Sequence, residues 1–108
     1  MDLTRRPVEL AVALARAGSG AVVVGSTARL IRTGSGRPRD LDLAVGADDV
    51  GSLVTALAGF GAELDPHRLG RTGSVQLDTW LGPVDVFARV CSNTVDVVVG
   101  GTRLRVAR

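Results

Sequence analysis

Apolar positions along this chain repeat at two periods, and the change of period marks the elements. Val8, Ala11, Val12, Leu14 and Ala15 form a loose stripe at helical spacing. Thr4 stands where a cap is wanted, Pro7 falls near the first turn and Gly18 lies just past the end. A first helix is predicted there. Ala21 to Val24 is too short and too β-branched for a helix and reads as a central strand. Ser26 is expected to cap a second short helix, Thr27 to about Arg32, which ends before Gly34. The stretch Gly34-Ser35-Gly36-Arg37-Pro38 is loop-like and returns the chain to a strand from Asp40 to Val45.

The second half reads in the same way. Gly46-Ala47-Asp48 forms a turn, with Asp48 as cap of a helix running to about Gly59 and showing Val50, Leu53, Val54, Leu57 and Ala58 on one face. Ala62 to Leu64 is a candidate short strand, and Asp65 to Gly73 reads as a polar loop. Ser74 to Trp80 and Val84 to Val90 are expected as a hairpin about Leu81-Gly82-Pro83. Thr94 to Val99 and Thr102 to Val106 form another about Gly100-Gly101, since two glycines accept the positive φ of a tight turn. This order predicts a single α+β (mixed α/β) domain over residues 1–108. Its sheet should be mixed and mostly antiparallel, with helices packed mainly on one face.

Composition narrows the picture. The 108 residues suffice for one core, built from small side chains, with two Phe, one Trp and no Tyr. Apolar runs of at most six residues fall far short of the roughly 20 that a membrane helix needs, so no membrane association is expected. The N-terminus lacks an apolar signal segment, and the single cysteine, Cys91, cannot form an internal disulfide; both predict a cytoplasmic protein. All 13 basic residues are Arg, against 11 acids and a net charge of +2. A GC-rich coding bias gives such a composition, and Arg also suits bidentate phosphate binding. The small net charge and scarce aromatics argue against a general nucleic-acid binder.

One stretch carries chemistry. Asp40 and Asp42, one residue apart on a strand, point to the same face, where two like charges call for a cation. They offer hard oxygen ligands suited to Mg²⁺. Gly25-Ser26, between a strand and a helix start, exposes backbone N–H groups to an anion, typically a phosphate. A third carboxylate would complete a two-metal site. Asp85, in Val84-Asp85-Val86, is favoured over Asp78, which would stand opposite it if Leu81-Gly82 were a two-residue turn.

Val24-Gly25-Ser26, thirteen residues, Asp40-Leu41-Asp42-Leu43 and later Val84-Asp85-Val86 resemble the signature of the DNA-polymerase-β-type nucleotidyltransferase superfamily, in its minimal nucleotidyltransferase branch with antitoxin-like members. The resemblance covers roughly residues 20 to 90. It implies a nucleotidyltransferase fold in which Asp40 and Asp42 bind two Mg²⁺ ions. Asp85 would bind the catalytic one and help deprotonate the attacking hydroxyl, and Gly25 and Ser26 would contact the triphosphate. The implied reaction moves NMP, AMP from ATP in the leading case, onto a hydroxyl of a protein, RNA or small molecule and releases pyrophosphate. Of the arginines, Arg37 and Arg39 are the candidates for the triphosphate. Relatives usually continue into a C-terminal helical segment that this sequence lacks. The expectation is therefore an acceptor site supplied by a protein partner or second copy, or a reduced form.

Blander readings stand beside these. Asp40 and Asp42 could pair with Arg37 or Arg39 on a solvated edge strand, Gly25-Ser26 could be an ordinary helix start, and Asp85 could pair with Arg89. His67, Arg68 and Arg71 read as solvated loop residues, Cys91 as structural, and Trp80 as a core or interface residue ahead of a base-stacking one. The alternative function is a catalytically inactive module of the same fold that binds a nucleotide or a partner through an exposed sheet edge, for which Val95 to Val99 is the candidate.

Overall fold

A computed structural model describes residues 6–108, so the expected cap Thr4 lies outside the described residues. The described residues fold as an α+β domain with a six-stranded mixed sheet and four helices. The helices are α1 (Arg6–Arg16), α2 (Gly25–Thr33), α3 (Val50–Ala58) and α4 (Pro66–Thr72). The strands are β1 (Val22–Val24), β2 (Leu41–Val45), β3 (Ser74–Thr79), β4 (Gly82–Ala88), β5 (Thr94–Val99) and β6 (Thr102–Ala107), in the order β3-β4-β2-β1-β6-β5. The β1–β2, β3–β4 and β5–β6 pairs are antiparallel; β1–β6 and β2–β4 are parallel. Among the described residues no helix is long and apolar enough to cross a membrane.

The three consecutive valines of β1 explain its central place. A strand that is apolar on both sides must be covered on both sides. Val23 joins the main core, while Val22 and Val24 join a smaller cluster with Ala44 on the other face. Leu10, Leu14, Ala28, Leu53, Leu57 and Leu69, drawn from all four helices, pack in the main core with Val23, Leu41, Leu43, Val84, Val86 and Val106. Val22, Val24 and Ala44, with Phe87, Cys91 and Ala107 against them, include no helical residue. The helices thus cover one face; the other, bare of helices among the described residues, buries only this small cluster.

Several local expectations are corrected. The buried stripe of α1 is Pro7, Leu10, Ala11 and Leu14, with Val8 and Val12 only half-buried. Ser26 does not cap α2: the cap position is Val24, with no side-chain hydrogen bond. Asp48 lies in a short 3₁₀ turn, Ala47–Asp49, ahead of α3, and Ala58 faces solvent while Ala56 is buried. Ala62 and Leu64 are buried in a connecting segment that forms no strand.

The polar stretch expected as a loop is α4. Asp65 caps it, its Oδ1 accepting from the His67 N–H at 2.9 Å and the Arg68 N–H at 3.4 Å, with Pro66 at the first turn. Leu69, its one buried residue, anchors the helix to the core. The cap therefore carries an unusual share of the stability of this seven-residue helix. Asp65→Ala should lower unfolding free energy by about 1 kcal/mol in urea titration, with α4 amides showing the largest rise in hydrogen exchange.

Candidate functional site

The sheet brings the acids together. Alternation along β2 turns Leu41 and Leu43 to the core and Asp42 to the bare face; along β4 it does the same for Val84, Val86 and Asp85. The parallel β2–β4 register then sets Asp42 directly beside Asp85. On its other side Asp42 is beside Val24. Asp40 sits in the bend just before β2, half-buried.

The electrostatics reflect this crowding. Partial burial, the charge of Asp85, a hydrogen bond between the two carboxyls and the charge of Asp40 together push the Asp42 carboxyl up to about 6, burial being the largest cause. Both effects of Asp85 arise from the fold, because Asp42 and Asp85 lie far apart in sequence and meet only through the strand register.

The start of α2 is built around the same carboxylate. Gly25 has a left-handed φ of 66°, and a Cβ placed on it would lie 2.5 Å from Asp42 Oδ2. Only glycine combines that backbone with that clearance. Thr27, fully buried, donates from Oγ1 to the Asp40 carbonyl at 3.0 Å and ties the first turn of α2 to the bend that carries Asp40. Gly25 and Ser26 are exposed, the first turn contains no acid, and no side chain caps it. Its N–H groups stand beside the acids where an anion would be favoured.

The other expected residues fall as follows. Asp78 does not face Asp85. The turn is Trp80-Leu81, so Asp78 pairs with Pro83 and Gln76 stands opposite Asp85. Thr79 fixes that turn, its Oγ1 accepting the Leu81 N–H at 3.1 Å and donating to the Gly82 carbonyl at 2.8 Å. Arg37 and Arg39 are exposed in the segment leading to Asp40. Arg89 follows the end of β4 and places its guanidinium 6.0 Å from the Phe87 ring centroid. His67, Arg68 and Arg71 are exposed on α4, whose anchor Leu69 packs in the core on the opposite side of the sheet from the acids. Trp80 is 76 % exposed and lies against Gly61. Thr27 and Gln76 were missed by the sequence reading. The Gly-Ser-Thr run held the signal for Thr27, whereas Gln76 is revealed only by the register.

As a donor set, Asp40, Asp42 and Asp85 suit a hard divalent cation, and the absent Cβ of Gly25 leaves Asp42 Oδ2 reachable. Among the described residues, no group of three His, Cys, Asp or Glu side chains is gathered closely enough to hold an ion as it stands. Asp42 and Asp85 touch, and Asp40 acts on Asp42 through charge alone. Comparison with known protein families, with curated proteins and with solved structures gave no match.

The raised Asp42 pKa has a defined sign for stability. The folded state holds a proton that the unfolded chain has already lost, so this contribution is complete below about 3.8 and is lost as pH rises through about 6. Without divalent cation, Asp42→Asn should therefore melt a few degrees above the wild type at pH 8, and the gap should close by pH 4. Gly25→Ala should melt below the wild type at both pH values, costing about 1 kcal/mol or more through backbone strain and displacement of Asp42. Thermal melts across this pH range check both.

Proposed function

We propose that this domain is a Mg²⁺-dependent nucleotidyltransferase of the minimal branch that its motifs resemble. It would move NMP, AMP from ATP in the leading case, to a hydroxyl of a protein, RNA or small molecule and release pyrophosphate. The observation that carries this reading is the Asp42–Asp85 contact beside the uncapped first turn of α2. Two carboxylates forced together next to exposed N–H donors suit a metal-bound triphosphate better than either feature alone.

In this reading the backbone N–H groups at Gly25 and Ser26 and the Ser26 hydroxyl hold triphosphate oxygens, with Arg37 and Arg39 adding positive charge beside Asp40. Mg²⁺, when bound by Asp40, Asp42 and Asp85, would neutralise the carboxylates and draw charge from the phosphates. Asp85 takes the proton of the attacking hydroxyl. That oxygen bonds to the α-phosphorus as the bond to the pyrophosphate oxygen breaks, and the electron pair leaves with pyrophosphate. A cytoplasmic setting fits the single cysteine, Cys91, and an antitoxin-like pairing with a protein partner follows from the resemblance.

The second reading is a non-catalytic module of the same architecture, favoured by the acids not closing on one point. Titration calorimetry with ATP and Mg²⁺ separates the two. The enzyme reading expects ATP binding that requires Mg²⁺ and weakens at least tenfold, about 1.4 kcal/mol, in Asp42→Asn and Asp85→Asn but not in Asp78→Asn. Label transfer from α-labelled ATP to the protein encoded beside this one, lost in Asp85→Asn, would extend it to catalysis. ATP binding unaffected by either substitution, or none at all, would leave the module.

A further inference from the structure

The sheet ends on β5, which has β6 on one side and no strand of the described residues on the other. Five of its six residues are Thr or Val, Asp96 is its one charge, and it contains no Pro or Lys. The devices that usually shield a natural edge are largely missing. Val95, Val97 and Val99 pack half-buried against the core, while Thr94, Asp96 and Val98 lie on the bare face, where Val98 is 64 % exposed. Beside this edge runs a mainly apolar groove of about 300 Å³, lined by Val8, Glu9, Val12, Ala13, Arg16 and Val99.

We propose that β5 pairs antiparallel with β5 of a second copy of this chain, about a two-fold axis through Val97, so that the two six-stranded sheets become one. This goes beyond the nucleotidyltransferase reading and does not depend on it. A two-fold axis normal to the sheet keeps like faces together, so opposed residues must share a face. An axis through Asp96 opposes two carboxylates, and one through Val98 leaves Val95 unpaired. Centring on Val97 sets Val95 opposite Val99 of the second copy, and Asp96 opposite its Val98.

Charge supports this register. Within one chain Asp96 pairs with Arg105 and Val98 with Arg103. Across the seam the bare face then reads Arg105, Asp96, then Val98 and Arg103 of the second copy, and its symmetry mate repeats the row. Each Asp96 lies about 10 Å, two strand spacings, from Arg103 of the other copy, within the reach of an arginine bending over Val98. Each exposed Val98 is covered at the same time.

Light scattering at about 100 µM chain should give twice the 11.1 kDa of one chain. Exchange of the Val95–Val99 amides should slow with protein concentration. Val98→Glu adds an acid beside its own Arg103, which the fold accepts, but opposes Asp96 of the second copy twice; it should weaken the dimer roughly tenfold or more. Val98→Lys meets that same Asp96 and should keep the dissociation constant within about threefold. For a chain of net charge +2, unspecific association would rank the two variants the other way. A monomeric wild type, β5 exchange that ignores concentration, or a Lys variant weakened as much as the Glu variant would overturn the proposal.

Discussion

Asp42 and Asp85 are held in contact on two neighbouring strands in the inner part of the sheet, and much of the architecture is arranged around that costly pair. The same register that opposes the carboxylates also pairs Leu41 with Val84 and Leu43 with Val86, all buried in the main core. The acids cannot move apart without shifting those apolar rows. Their repulsion is therefore tolerated by hydrophobic burial on the opposite face, and it adds to the partial burial that chiefly raises the Asp42 pKa. A domain of this size keeps such a contact readily if a cation or proton relieves it in use.

The division of the sheet into a covered and a bare face gives the site its access. Residues from all four helices enter one core, so solvent reaches the sheet from the other side, where the acids point. Helix α2 approaches them closely: its first residue touches Asp42 through a missing side chain, and Thr27 grips the bend that carries Asp40. The two contacts come from Gly25 and Thr27, on either side of the exposed Ser26. The two ends of the sheet differ as well. One closes on β3, with Gln76 and Asp78 on its exposed face, and the other on the valine-rich β5.

Much of this was legible beforehand, and the misreadings have identifiable causes. The central strand, the Gly-Gly hairpin and the mixed sheet with helices on one side follow from period and turn chemistry, which act over a few residues. Helix α4 was overlooked because polarity was weighed above its Asp65-Pro66 start and its Gly73 end. Leu10 was left out of a stripe that it completes with Pro7, Ala11 and Leu14. The Asp78 pairing was displaced because the turn is Trp80-Leu81, selected by the Thr79 hydroxyl bridging Leu81 and Gly82.

The sequence by itself determined which residues would be acidic on which face. A strand alternates strictly, so Asp42 between Leu41 and Leu43, and Asp85 between Val84 and Val86, had to point away from the core. It did not determine that the two would be neighbours. That required β2 and β4 to lie side by side in parallel, across a connection containing two helices and a strand, in one register out of several. Tertiary packing decided it, because strand alternation fixes the face of each side chain but leaves registers two residues apart equivalent.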